Sequence, residues 1–458
     1  MSQLLLQGTN FVNFMGKYAY VATGDAGIEA VAVTETDEPQ AVIGSYLHSL
    51  AYPDYSRRHK ELEEELQTSY SHGGTVLASQ LRGEYLYAAC GEDGFRVYDV
   101  ANIDNKGFSE RIVTAPVSPF GQDTHVPTRF ATAIALPTNM PIDTRRVQRP
   151  ENQEQWPIHP LYSYAYITDK YEGLILVDVM NLVDGEPRNN FLKRAVTFNP
   201  NGILDGATNL TIAGNLVYIC ASKGVVVVSV ADPLNPRVVA QVGAPAVLNA
   251  RAIAVQFRYA FVCDDQGVKV IDVTFPEKAS IVPKSYLPLA GANDIYVART
   301  YAYVAAGSQG LVIVDVEQPD SIFLEKIYTA RGVLNDARGV KVASTNASLF
   351  AYVADGRNGL RVIQLVSPED PGHLGFSPKP SPRLIATRQT GGTALSVSKG
   401  LDRDRAVDES GNQVSVFGRL GSRPFNKAEQ ERLYLRNGTV WMVSDEGKIQ
   451  GQTGRKQE

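Results

Sequence analysis

Short apolar runs separated by turn residues recur along the chain, and YAYVAAGSQGLVIVDV, residues 301–316, shows the pattern most clearly. Two runs, Tyr301–Ala306 and Leu311–Val316, flank a turn that ends in Gly310. Each run is too short for a buried helix and rich in β-branched and aromatic residues, which predicts strands. Gly310 supplies the positive φ that a tight hairpin needs. The pattern returns at YAYVATGDAGIEAVAV (18–33), YLYAACGEDGFRVYDV (85–100), YAYITDKYEGLILVDV (164–179), LVYICASKGVVVVSV (216–230), YAFVCDDQGVKVIDV (259–273) and FAYVADGRNGLRVIQL (350–365). That makes seven copies of one hairpin.

Each copy has flanks. Upstream lies a short strand such as ARAIAV (250–255), ANDIYV (292–297) or ARGVKV (337–342); downstream come Asp and Pro turn residues and a looser strand such as PRVVAQV (236–242). The uninterrupted unit is therefore four antiparallel strands in roughly 42 residues, the period of a β-propeller blade. A Rossmann or TIM sheet would need a helical stretch between successive strands, and residues 216–345 contain none. The expectation is an all-β, seven-bladed β-propeller of four-stranded antiparallel blades over residues 1–390. A small mixed extension, 391–458, would follow, with a short helix over NKAEQERLYLRNG and strands at QVSVFG and TVWMVSDEG.

GLVIVDV in this setting resembles the LVIVD-repeat family of bacterial and archaeal β-propellers, over roughly residues 8–390. The resemblance implies the fold and an exported or cell-surface protein, extracellular or periplasmic, often beside multihaem cytochromes or in adhesive contexts. MSQLLLQGTNFVNF has neither the basic nor the apolar region of a signal peptide, so the resemblance predicts a processed or truncated chain. It also implies a non-catalytic interaction module or scaffold docking on a multihaem c-type cytochrome. Such a chain would hold no cofactor of its own, any haem residing in the partner.

Two insertions interrupt the repeat. Residues 48–74 carry SRRHKELEEELQ, a short helix capped by Ser56. Residues 138–163 are proline-rich and polar and predict an irregular loop. Arg145, Arg146, Arg149, Trp156 and His159 give that loop the composition of a partner contact.

Aligning the copies places Thr9, Thr75, Thr132, Thr208, Arg251, Asn293 and Arg338 just ahead of the inner strands, so they should ring the mouth of the central channel. Such a ring could hold an anion, a sugar or a metal. It could equally satisfy backbone groups where the inner strands begin. The alternative function is therefore a channel-centred ligand binder or a metal-dependent, lactonase-like hydrolase. His72 and His125 would be ligands only if the loops brought them together; no metal site is expected.

Composition narrows this further. The net charge of −5 provides no basic footprint for nucleic acid, and no apolar run reaches the roughly 20 residues that span a bilayer. No GxSxG, P-loop, HExxH or CxxC motif occurs. Cys90, Cys220 and Cys263 end the second strand of their copies, which predicts buried packing. Asp25, Glu92, Asp93, Glu172, Asp264, Asp265 and Asp355 crowd the hairpin turns; solvated turns explain most of that, and a face of that sign could still meet a basic partner.

Overall fold

The hairpin repeat builds blades. A computed structural model describes residues 75–82, 85–99, 124–137, 160–182, 192–345 and 348–398, apart from 372, 374 and 376; elsewhere it describes only isolated strands within 18–41 and 419–450. In the blade at 209–242, the strands Asn209–Ala213, Leu216–Ala221, Gly224–Ser229 and Arg237–Val242 pair antiparallel in chain order. Five more blades repeat this order, at 78–126, 131–198, 252–288, 294–328 and 339–388. They are numbered I to VI along the chain, with 209–242 as blade III.

Burial follows position in the blade. The two middle strands of blade III are almost wholly buried, whereas the outer strand is largely exposed. The outer strands of blades II and VI alternate between exposed and half-buried residues. Middle strands are covered on both faces by the neighbouring blades, which is why they read as continuous Val and Ile runs. One aromatic per blade, at the third position of the aligned hairpin copy (Tyr87, Tyr166, Tyr218, Phe261, Tyr303, Tyr352), is buried in the apolar layers between blades.

The expectation of seven blades, one per sequence copy, is corrected here: six blades are made of four consecutive strands, not seven. The first copy, Tyr18–Ala22 with Ile28–Ala32 and Gln40–Ala41, does not supply its own inner strand. Ser396–Val397 takes that place, pairing Val21 with Val397 and Ala22 with Ser396. This composite sheet joins the two ends of the propeller chain, and Ser398 Oγ accepts the Leu81 N–H of blade I at 3.2 Å. The edge on which Thr9's strand was expected is therefore already filled. The composite arrangement ties residue 21 to residue 397, a closure that no local pattern encodes.

Of the extension, only three two-stranded pairings are described, Arg419–Leu420 with Arg423–Pro424, Leu435–Arg436 with Thr439–Val440, and Met442–Val443 with Ile449–Gln450. The last two coincide in part with the expected strand at TVWMVSDEG. The expected helix over NKAEQERLYLRNG is corrected at its end, where Leu435–Arg436 is a strand paired with Thr439–Val440; the rest of that stretch, the strand at QVSVFG and the 48–74 insertion lie outside the described residues.

Candidate functional site

The inner strands surround an open channel of about 2380 Å³, and Thr132, Thr208, Arg251, Asn293 and Arg338 line its mouth. Four of the five stand in equivalent register. The backbone N–H groups of Thr208, Arg251, Asn293 and Arg338 donate to the carbonyls of Cys220, Cys263, Ala305 and Ala354, the fifth residues of the aligned hairpin copies. In blade I the equivalent bond to Ala89 comes from Leu77, so Thr75 stands two residues ahead of the ring position. Ala394 bridges Gly356 as Ala337 bridges Gly307, so Leu395 takes the ring position of the composite sheet. Thr9 and the five loop residues Arg145, Arg146, Arg149, Trp156 and His159 lie outside the described residues.

Three ring side chains reach across to the next blade. Thr132 Oγ1 donates to the carbonyl of Ala207 (2.9 Å), Thr208 Oγ1 to that of Ala250 (3.3 Å), and Asn293 Nδ2 to that of Ala337 (2.9 Å). Each acceptor is the Ala directly before the next ring residue, so the bonds form a repeated clasp at the channel mouth. The two arginines pair within their own blade or loop, Arg251 with Asp265 and Arg338 Nε with Asp336 (2.6 Å). Deeper in the wall, Lys341 of blade VI donates to Asp294 of blade V at 2.7 Å. The polar groups of the channel are thus largely engaged with one another and with the backbone.

Behind the mouth, three fully buried aspartates lie at or just beyond the ends of the second strands of blades II, IV and VI: Asp169, Asp264 and Asp355. Asp264 accepts the N–H groups of Gln266 (2.9 Å) and Gly267 (3.1 Å) in its own hairpin, and of Leu248 (3.0 Å) in the preceding inter-blade loop. Asp355 ties Asn335 and Asp336 to its hairpin, and Asp169 ties Phe130 to Tyr171 and Glu172. Buried Lys269 and the largely covered Arg361 face Asp264 and Asp355 at 2.7 and 3.2 Å. Burial pushes the Asp355 carboxyl up from the ordinary aspartate value despite these donors. Asp264 and Asp355 read from sequence as solvated turn acids. Their signal in blades IV and VI was a cation inside an otherwise apolar strand, Lys in GVKVIDV and Arg in GLRVIQL.

The acidic reading of this face is thereby corrected for most of its members, although Glu92 is exposed. Asp264 and Asp355 are buried, while Asp93, Glu172 and Asp265 pair with Arg96, Arg194 and Arg251. Asp25 lies outside the described residues. His125 sits on the outer strand of blade I, its Nε2 2.6 Å from the Asp93 carbonyl, far along the blade from the inner strand. Among the described residues no three His, Cys, Asp or Glu side chains converge as a metal site.

Cys90, Cys220 and Cys263 are all buried as free thiols. Burial, with the Asp93 charge adding to it, pushes the Cys90 thiol up to about 12, and burial raises the other two as well. A thiol-specific disulfide reagent at about pH 8 should leave the native protein unlabelled and label all three cysteines in denaturant. Labelling of Cys90 in the folded protein would mean that its blade opens locally.

The family model of the LVIVD repeat matches residues 9–32, 163–183, 206–243, 291–330 and 336–372. The chain is an LVIVD-repeat protein. The matched stretches contain the hairpins of the composite sheet and of blades II, III, V and VI, while those of blades I and IV fall outside them, and a propeller of LVIVD repeats is consistent with a protein-interaction module. No curated protein matches the chain. Among solved structures it is similar to a functionally unknown protein from Desulfotomaculum acetoxidans, at 12% identity over 83% of this chain and 99% of that one, with a TM-score of 0.49. It is also similar to the Cps50 (Swd1) β-propeller domain of Myceliophteria thermophila, at 12% identity over 72% and 91% of the two chains, with a TM-score of 0.43. AztD from Citrobacter koseri matches at 12% identity over 84% and 86%, with a TM-score of 0.40.

Proposed function

We propose that this LVIVD propeller is a non-catalytic, exported scaffold whose rigid blades dock partner proteins. The observation that carries the reading is Phe257. It stands at the tip of the turn between the first two strands of blade IV, 94% exposed and held at φ 52°. Blade III places Gly214 at the same turn position, at φ 59°. A non-glycine residue there costs on the order of 1–2 kcal/mol, and exposing a phenylalanine brings the fold nothing in return. Phe275, 63% exposed, follows the third strand of the same blade, at the same end as Phe257. Aromatic side chains offered at a rigid edge suit the centre of a protein interface.

The partner most in keeping with the family resemblance is a multihaem c-type cytochrome, met outside the cytoplasm. The test is to purify the protein gently from its native source and identify what co-migrates, by mass spectrometry and visible spectrum. A stoichiometric second polypeptide is expected, and its recovery should fall at least about fivefold with Phe257→Gly. That substitution relieves the turn strain, so the fold should be no less stable. Haem absorbance in the partner would support the cytochrome reading. A lone, colourless propeller would overturn both.

A further inference from the structure

The second face of the disc, which carries the middle-hairpin turns and the channel mouth, reads as acidic in sequence. The fold reverses that sign in one place. On blade II, Lys170 and Tyr171 in the hairpin turn meet Arg129 and Phe130 in the loop that leads into the inner strand. The Arg129 guanidinium lies 4.7 Å from the centre of the Tyr171 ring. The Lys170 ammonium sits between the two rings, 5.5 Å from Tyr171 and 5.7 Å from Phe130. The rings themselves meet edge to face at 6.5 Å. Tyr171 is 47% exposed and both cations are exposed.

Three further facts make this more than a surface cluster. Neither Arg129 nor Lys170 has a carboxylate partner among the described residues, whereas the neighbouring Glu172 is held by Arg194 and by the Arg129 backbone N–H. The platform is preorganised: buried Asp169 fixes Phe130, Tyr171 and Glu172 through their backbone N–H groups, and Lys170 N–H donates to the Phe130 carbonyl at 2.9 Å. Phe130 and Lys170 also line the channel, so the cluster stands at its rim and is open to a large ligand. Cations resting on aromatic faces keep their charge available to a third group on the solvent side. Arg and Tyr together are among the residue types that dominate protein interfaces.

We propose that this platform docks an acidic segment of a partner protein, with carboxylates bridging Arg129 and Lys170 and an apolar or aromatic group lying on Tyr171. A small free anion is less well matched, because the site is an open rim without an enclosing wall. The proposal rests on the docking reading and names the chemistry of one partner surface.

The probe is a fluorescein-labelled deca-glutamate peptide, titrated with the full chain and followed by anisotropy. Saturable binding is expected at about 20 mM salt, weakening towards about 150 mM as screening grows. Arg129→Ala with Lys170→Ala should weaken it about tenfold or more, and Tyr171→Ala by a smaller factor. Arg237→Ala, an exposed arginine on the outer strand of blade III, should change it less than about twofold, as should Phe257→Ala. Thermal melts of each variant check that the fold is kept. Equal losses with Arg237→Ala, or no saturable binding, would overturn the proposal. Inorganic phosphate competing as well as the peptide at equal charge would also overturn it, in favour of a small-anion site. If a native partner co-purifies yet is retained equally by the Arg129→Ala, Lys170→Ala double variant, the acidic-segment proposal fails while the scaffold reading stands.

Discussion

Asp264→Ala should cost the protein about 4 kcal/mol, because it strands a buried lysine as well as three backbone donors. Asp264 is fully buried, and Lys269 faces it at 2.7 Å with its side chain almost wholly covered. Lys269 keeps only the Ala246 carbonyl (2.8 Å) and the Gln266 side-chain oxygen (2.7 Å) once the carboxylate is gone. The sister blades show the remedy. Blade III has Ala221 and Val226 at the same two positions, and blade V has Ala306 and Val312, all buried. Asp264→Ala combined with Lys269→Val should therefore be only about 1–2 kcal/mol less stable than the natural protein. The residual is the loss of an acceptor for Leu248, Gln266 and Gly267. Urea unfolding of the two single variants and the double closes the cycle. Equal destabilisation in Asp264→Ala and in the double variant would show that the aspartate works through the backbone donors alone.

The second large effect is expected at Gly359, which closes the hairpin of blade VI at φ 78°. A Cβ there would lie 2.1 Å from the Arg388 carbonyl oxygen, and 2.8 Å from Gln389 Cα and Thr390 N. All three are backbone atoms of the outer strand and the loop that follows it, so no side chain can swing aside. Gly359→Ala should cost roughly 3 kcal/mol or more, combining left-handed strain with displacement of the outer strand. Gly214 is the control. It sits at φ 59° with nothing within 4 Å of the place a methyl group would take, so Gly214→Ala should cost only about 1 kcal/mol. A melting temperature that falls equally in the two variants would refute the steric account. Conformational preference alone would then explain both.

Phe257 and Gly214 occupy the same turn position and make opposite choices, and only the structure shows that the phenylalanine tolerates a left-handed backbone in the open. Its sequence context, VQFRYA, reads as an ordinary hairpin tip. The ring of channel residues was readable for Thr132, Thr208, Arg251, Asn293 and Arg338, because each follows an alanine at or just ahead of the start of an inner strand. It failed at Thr75, where the alignment slipped by two and Leu77 holds the position, since a period-two slip keeps the same faces and leaves no hydrophobic mismatch to betray it. The clasp role of the threonines also depended on the neighbouring blade, whose carbonyls lie 42 to 75 residues away.

What the sequence by itself determined is local and repeated: the hairpins, their glycine turns, the aromatic at the third position of each hairpin copy, and the burial of the cysteines. These follow from two-residue periodicity and turn stereochemistry, which act over a few residues and so are written in each copy. What only the tertiary structure decided is whatever depends on which copies become neighbours. The strand Ser396–Val397 replaces the first copy's own inner strand because ring closure is a pairing between the two ends of the propeller. The acidic turns lose their sign because buried aspartates turn inward to backbone donors and others meet an arginine, leaving Arg129 and Lys170 exposed on their aromatic platform. Charge counted along a chain is a sum, but the field at a surface is set by which charges are buried or paired, and that is fixed only when the blades pack.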